Sequence, residues 1–383
     1  MNLRLSELER EFARNFAERG ELGATVSVWQ DGREVASLAG GFRDRDKTMP
    51  WTVETPVLVW SATKGPAAAC LLHVCQEQRV ALTRRVAECW PEFAAQGKGE
   101  VTIADVLSHR AGLSALSSSA DVLDYEAVVA ALAAEAPHWP LGQGHGYHPR
   151  TFGFLLDELV RRLTGGTTLG AYWRTVFGEP LALDFWIGLP AHLVESVAPV
   201  FAARNMPAKG DPFYAAFMTP DSLTSRTFLS PRGLHAVSAM NSPAARQASF
   251  PAFGGIGTAS ALGKFYAMLA QGGELDGRRY FQPATIALMT TPLVQGPDLV
   301  LLSETAFSAG FMQDPVDAVG HKKRQSFGPA RTAFGHPGAG GSHAFADPEN
   351  RIAFAYVMNQ METGVLPGER SVRLVEALYG DAR

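Results

Sequence analysis

The sequence predicts an α/β protein of the α+β kind. One antiparallel sheet is built from both ends of the chain and flanked by terminal helices, with a largely helical region inserted between its halves. Three observations lead there. Residues 25–39 read as a β-hairpin, residues 331–358 read as strands again, and helical patterns and long loops fill the text between them. The expected division is a sheet domain from residues 1–60 and 325–383, a mostly helical domain from 61–324, and a cleft between the two.

Each element follows from local pattern. Leu3, Leu5, Leu8, Phe12 and Phe16 recur among charges, the spacing of an amphipathic helix. Thr25 to Trp29 alternates, Asp31-Gly32 makes a turn, and Val35 to Ala39 returns, ended by Gly40-Gly41. From Lys64 to Gln78 only Pro66 interrupts, and it falls in the first turn of a helix. Thr102 as N-cap with Asp105 at N3 starts another. Phe152 to Leu163 is helical and closed by Gly165-Gly166; Ala259 to Leu269 is helical and closed by Gly272-Gly273. Between about 190 and 255 the chain is rich in Pro, Ser and Asn and reads as long loops with few regular elements. Arg331–Gly335, Ser342–Ala346 and Ile352–Met358 read as strands, and residues 369–379 as a last helix.

Composition narrows the function. Hydrophobic residues make up 46% and charged residues 19% of 383 positions, enough for a sizeable core and against long-range disorder. Thirty-four basic against 38 acidic residues leave a net charge of −4, which offers no footprint for nucleic acid. The N-terminus lacks the apolar run of a signal peptide, and no stretch approaches the roughly 20 apolar residues of a membrane span, so a cytoplasmic protein without a membrane partner is expected. Cys70, Cys75 and Cys89 are odd in number and lack metal spacing, and read as buried small hydrophobes. No metal and no organic cofactor is expected.

The chemistry centres on Trp60-Ser61-Ala62-Thr63-Lys64. A serine hydroxyl is a poor nucleophile until a base takes its proton, and a lysine serves as that base only when neutral. Residues three apart share a helix face, so Lys64 one turn after Ser61 brings amine to hydroxyl. The helix N-terminus places backbone N–H groups where an oxyanion develops. Leu58, Val59 and Trp60 are apolar and Ala62, Ala67, Ala68 and Ala69 are small, surroundings that desolvate Lys64.

With these residues the sequence resembles the serine β-lactamase and penicillin-binding-protein superfamily, in its class C-like branch with the family VIII carboxylesterases. Ser61-x-x-Lys64 is its first motif. Leu107-Ser108-His109-Arg110-Ala111-Gly112-Leu113, Gly144-His145-Gly146-Tyr147-His148-Pro149, Gly255-Ile256-Gly257-Thr258-Ala259 and Phe334-Gly335-His336-Pro337-Gly338-Ala339 are similar, in order and spacing, to its other segments. The resemblance implies a β-lactamase-like fold. It implies that Ser61 is acylated, that Lys64 is its general base, and that Tyr147 shuttles a proton to the leaving group, with Lys64 as the cation that lowers its pKa. It places His336 where the family carries a third-motif lysine on an edge strand, and implies that Ser61 and Ala339 donate the two oxyanion N–H groups. Gly338 is read as opening that strand to substrate through its missing side chain. His109 is read as structural, His145 and His148 as supports, and His343 is assigned nothing.

Two departures bear on substrate. Pro149 stands where the family's second motif carries asparagine, and His336-Pro337-Gly338 replaces Lys-Thr-Gly, exchanging a permanent cation for a group expected to titrate near pH 6.5. Both weaken the case for carboxylate-bearing penicillins, cephalosporins and D-Ala-D-Ala peptides and favour neutral esters. The Gly-x-Ser-x-Gly elbow of the α/β-hydrolases is absent from the sequence. The expectation is a serine carboxylesterase for short-chain acyl esters, with a small-molecule ester as its partner. A β-lactamase, D-amino peptidase or transesterase of the same superfamily, or a penicillin-type sensor that acylates without turnover, is the alternative. Trp139, Phe152, Trp173, Trp186, Phe213, Tyr214, Phe217 and Phe311 are candidates for an acyl or alcohol pocket, more of them core than pocket. Oligomeric state is not readable from the sequence.

Overall fold

A computed structural model describes residues 1–380. The chain opens with α1 (Leu5–Glu18), whose Leu8 and Phe12 are buried while its charges face water. β1 (Gly23–Gln30) and β2 (Arg33–Gly41) form the expected hairpin. A short β3 (Val57–Leu58) leads into a 3₁₀ turn over Trp60–Thr63, and α2 (Lys64–Glu77) follows without a break. The capping box of Thr102 and Asp105 starts α3 (Ile103–Leu107), and Asp124 caps α4 (Tyr125–Ala134). Gly165, left-handed at φ 73°, closes α5 (Thr151–Thr164). Then come α6 (Leu169–Trp173) and β4 (Phe185–Ile187).

The stretch read as loops from 190 to 255 holds α7 (Pro212–Phe217), α8 (Leu223–Phe228) and α9 (Pro243–Gln247). Asp211, Ser222 and Ser242 cap them, so the Pro- and Ser-rich text marks short capped helices as well as loops. β5 (Gly255–Gly257) and Thr258-capped α10 (Ala259–Ala270) precede a small hairpin, β6 (Glu274–Leu275) with β7 (Arg278–Arg279), and α11 (Pro283–Thr290). The end of the chain supplies β8 (Val294–Pro297), β9 (Glu304–Phe307), β10 (Met312–Gln313), β11 (Phe334–Pro337), β12 (His343–Asp347), β13 (Ile352–Met358) and α12 (Glu369–Tyr379).

Eight strands make one antiparallel sheet in the order β2-β1-β13-β12-β11-β10-β9-β8. Both ends of the chain meet where β1 pairs with β13. The boundary expected at 324/325 does not coincide with this sheet, because β8, β9 and β10 come from the stretch read as helical. They are short, with runs of two to four residues broken by Gly and Pro, and carry little periodic signal.

Alternation along β13 sorts the two faces. Ile352, Phe354, Tyr356 and Met358 join Leu8 and Phe12 of α1 and Leu374 and Leu378 of α12 in one core. Ala353, Ala355 and Val357 join α10 on the other face. The small residues there let α10 lie close; a Cβ on Gly263 would sit 2.8 Å from Ser27 Oγ. α2 runs through the remaining core, with eleven buried residues from Lys64 to Cys75.

Candidate active site

Ser61 sits in the 3₁₀ turn rather than in the first turn of the α-helix, and Lys64 is the first residue of α2. The tighter turn favours the pair, since side chains at i and i+3 eclipse in a 3₁₀ helix. Trp60, just before it, holds a left-handed φ of 50°. That conformation is unfavourable for a bulky residue and recurs at functional sites. Thr63 pins the turn from beneath: its Oγ1 donates to Trp60 O and accepts the Gly255 N–H at 2.8 Å.

The Lys64 ammonium end is fully buried. Its Nζ donates to Pro149 O at 2.8 Å and to Ala252 O at 2.9 Å, and lies 3.5 Å from Ser61 Oγ. Burial holds its pKa well below the ordinary 10.5. A neutral amine has two N–H groups and one lone pair. The two carbonyls take the two donors, which leaves the lone pair toward Ser61.

Tyr147 reaches the same place from the Gly-rich segment before α5. Its ring lies under Lys64 Nζ at 4.7 Å, stacks on Phe307 at 6.3 Å and on His336 at 5.8 Å, and Ser61 is near enough to its hydroxyl to favour the ionised form. Burial raises its pKa, and this outweighs the influence of Ser61. The expectation that Lys64 would lower it fails, because burial dominates and the Lys64 amine lies over the ring. Asp298, unremarked in the sequence, fixes Tyr147 in space. Its buried carboxylate accepts the Tyr147 N–H at 3.1 Å, the Val300 N–H at 2.9 Å and the Leu301 N–H at 2.8 Å. His145 Nε2 meets Thr305 Oγ1 at 2.7 Å, and that hydroxyl donates to Asp298.

β11 is not an edge strand. It lies between β12 and β10, and only its C-terminal half, past the single Met312–Gly335 pair, opens to the cleft. A Cβ on Gly338 would meet Val59 O at 2.2 Å. The glycine therefore lets the segment that follows β11 approach the backbone that carries Ser61. Ala339 follows on the wall of the pocket beside Ser61. Among the described residues, no backbone carbonyl takes the Ala339 N–H or the Ser61 N–H.

His336 is buried, with Nδ1 bonded to Pro337 O at 2.7 Å and Nε2 without a partner among the described residues. Burial first, then Lys64, pushes its pKa well below 6.5, so it is a neutral group and not one that titrates near that value. His109 is likewise neutral and packed among Tyr147, Phe152 and Phe307, while its Nδ1 accepts the His148 N–H at 3.2 Å. His148 accepts the Leu113 N–H on Nε2 and donates from Nδ1 to Gly146 O, with its pKa pushed down to about 3 by burial. These histidines hold loops together. His343 lies on β12, buried among Phe327, Phe345 and Phe354, away from the pocket.

Ser61, Tyr147 and Ala339 face a pocket of about 190 Å³. Its apolar walls come from Trp60, Phe217, Phe228, Leu229, Leu234 and Phe253. Of the aromatic residues proposed from the sequence, only Phe217 lines it; Phe152, Trp173 and Phe311 are fully buried core. Lys64, one layer behind Ser61, does not line the pocket, and neither does His336.

The family model for beta-lactamase matches residues 8–378. The chain belongs to the beta-lactamase family. Among its relatives in this family is the esterase/beta-lactamase LipL of Mycobacterium tuberculosis, 33% identical over 358 residues that cover 92% of this chain and 80% of LipL. A penicillin-binding protein homolog from Caulobacter crescentus has a solved structure with a TM-score of 0.86 and 39% identity, covering 98% of this chain and 96% of that one. A family VIII carboxylesterase superposes equally well, at a TM-score of 0.86 and 33% identity over the same shares. The chain is thus a hydrolase of the serine β-lactamase superfamily with esterases among its neighbours. No helix among the described residues is long and apolar enough to cross a membrane.

Proposed function

We propose that the protein is a carboxylesterase that cleaves short-chain acyl esters through an acyl-enzyme at Ser61. The observation that carries this reading is the Lys64 amine, buried, with two carbonyls on its donors and Ser61 Oγ at 3.5 Å. Ser61 Oγ attacks the ester carbonyl carbon as its proton passes to Lys64 Nζ. The N–H groups of Ser61 and Ala339 stabilise the oxyanion, a contribution of about 3–4 kcal/mol per donor. As the tetrahedral intermediate collapses, Tyr147 gives its phenolic proton to the departing alkoxide and is reprotonated from Lys64. A water then attacks the acyl carbon by the same route, its proton going to the base and returning to Ser61 Oγ as the acid leaves. A tyrosine kept neutral by burial suits this relay, and leaves Lys64 as the base.

The small apolar pocket supports short acyl or alcohol groups over bulky polar ones. Loss of the third-motif lysine to a neutral, buried His336 supports the same ordering against β-lactams. The names of relatives, an esterase/beta-lactamase and a family VIII carboxylesterase, agree with it. The test is steady-state turnover of p-nitrophenyl acetate, butyrate and octanoate beside nitrocefin, with Ser61→Ala as control. Sustained turnover of the short esters that vanishes in the variant is expected. Nitrocefin cleaved faster than butyrate would reverse the substrate ordering, a single burst would make the protein a sensor, and full activity in Ser61→Ala would end the assignment.

A further inference from the structure

The pocket beside Ser61 holds a cation that the mechanism does not use. Arg150, the residue immediately before α5, lines the pocket and is only 7% exposed. Buried charges in proteins are paired with counter-charges or they destabilise the fold. Arg150 is bonded to neutral acceptors instead. Its Nη1 donates to His235 Nδ1 at 2.7 Å, its Nη2 donates to Gly233 O at 2.6 Å, and its guanidinium lies 5.1 Å from the centre of the Phe253 ring. Among the described residues no carboxylate forms an ion pair with it. Asp121 is the carboxylate whose field reaches it, but Asp121 Oδ1 is already taken by the Leu123 N–H. Burial lowers the guanidinium pKa to about 10, which leaves it charged at neutral pH.

The hydrogen bonds around it are also one acceptor short. The Gly233 N–H points at His235 Nε2 at 3.1 Å while Arg150 Nη1 points at Nδ1 of the same ring. A neutral imidazole accepts on one nitrogen only. Burial first, then Arg150 and Arg232, disfavour a charged His235, and a charged ring would accept on neither nitrogen. Two obligate donors therefore compete for one lone pair at the wall of the pocket. An incoming pair of anionic oxygens removes both deficits, taking the free guanidinium donors and releasing His235 to Gly233.

We infer that Arg150 is a specificity-determining residue of this site and that the preferred ester carries a carboxylate, which the guanidinium receives next to the scissile bond. The inference rests on Ser61 chemistry in this pocket. It also revises the reading taken from the third motif alone. The cation missing from β11 at His336 stands instead on the other wall, at the start of α5, so a carboxylate is received at a different place and angle from the one a third-motif lysine would give.

The experiment compares matched esters on purified wild-type protein, with the carboxylate on either side of the bond. Mono-p-nitrophenyl adipate is set against p-nitrophenyl hexanoate for the acyl side, and 4-acetoxybenzoate against 4-acetoxybenzamide for the alcohol side. One anionic member is expected to exceed its neutral partner in kcat/KM by about tenfold to a hundredfold, the range of a buried charge-assisted contact. That anionic-to-neutral ratio is expected to fall toward one in Arg150→Gln and to recover in part in Arg150→Lys. Benzoate is expected to compete with neutral ester turnover more strongly than benzamide, a measurement that needs no variant. Anionic esters no better than neutral ones on both sides, or a preference that survives in Arg150→Gln, overturns the inference. If neutral esters turn over through Ser61 without any anionic preference, this inference alone falls; if no ester turns over, the esterase reading falls with it.

Discussion

Replacing Lys64 by methionine keeps an unbranched stem out to Cε and removes the amine. The change acts on two ledgers that the structure separates. On stability, Pro149 O and Ala252 O lose donors at 2.8 and 2.9 Å, and leaving two buried carbonyls short costs about 1–3 kcal/mol each. Against this, Lys64 is fully buried, and removing a group whose charged form is desolvated returns several kcal/mol. The two are of similar size, so urea unfolding is expected to move by no more than about 2 kcal/mol in either direction. On activity nothing offsets the loss of the base, and kcat/KM for p-nitrophenyl butyrate is expected to fall about 10²- to 10⁴-fold. The pH profile adds a sign. The amine must be neutral to accept a proton, so wild-type kcat/KM rises with pH through the pKa of Lys64. Burial lowers that pKa, so the rise is complete well below the ordinary 10.5. The variant should lack that limb. A folded Lys64→Met protein within tenfold of wild type, or one that keeps the same acid limb, refutes the assignment of the base.

Three further substitutions probe the supports. Tyr147→Phe removes only a hydroxyl and keeps the stack on Phe307 and the Asp298 contact to the backbone, so stability should change by about 1 kcal/mol or less while kcat drops about a hundredfold or more; stopped-flow and steady-state rates with wild-type kcat would send the proton elsewhere. Asp298→Ala orphans the buried N–H groups of Tyr147, Val300 and Leu301, a cost of at least about 3 kcal/mol by chemical unfolding, and a loss under about 1 kcal/mol would show that the carboxylate does not hold this corner. Gly338→Ala drives a Cβ to 2.2 Å from Val59 O, which is backbone and cannot swing away. It should cost about 1–3 kcal/mol and lower kcat more than it changes KM, since the Ala339 N–H moves off the oxyanion; an unchanged kcat with normal stability speaks against that N–H having a role.

Much of the fold is written locally. The Thr102/Asp105 box, the Gly165 closure and the hairpin turn at Asp31-Gly32 specify hydrogen bonds between residues a few positions apart, and periodicity separates strand from helix. β8 to β10 escaped because two to four residues hold at most two periods of any pattern. The stretch from 190 to 255 escaped because capping residues and loop residues are the same types.

The Ser61–Lys64 pair was legible for a similar reason: three positions along a helical turn place two side chains together whatever surrounds them. What the amine can do was not. Its state depends on carbonyls 85 and 188 residues away, and a carbonyl is common to every residue and leaves no mark in the sequence. Asp298, 151 positions from Tyr147, and Arg150 in the wall of the pocket are ordinary charged letters until the fold buries them. His336 reads as a titratable group and is made neutral by burial. The sequence by itself determined which residue types stand at the reacting turn, because spacing along a helix is a local property. Only the tertiary structure decided their protonation and the charge their pocket can receive, because desolvation is set by atoms brought together from the whole chain.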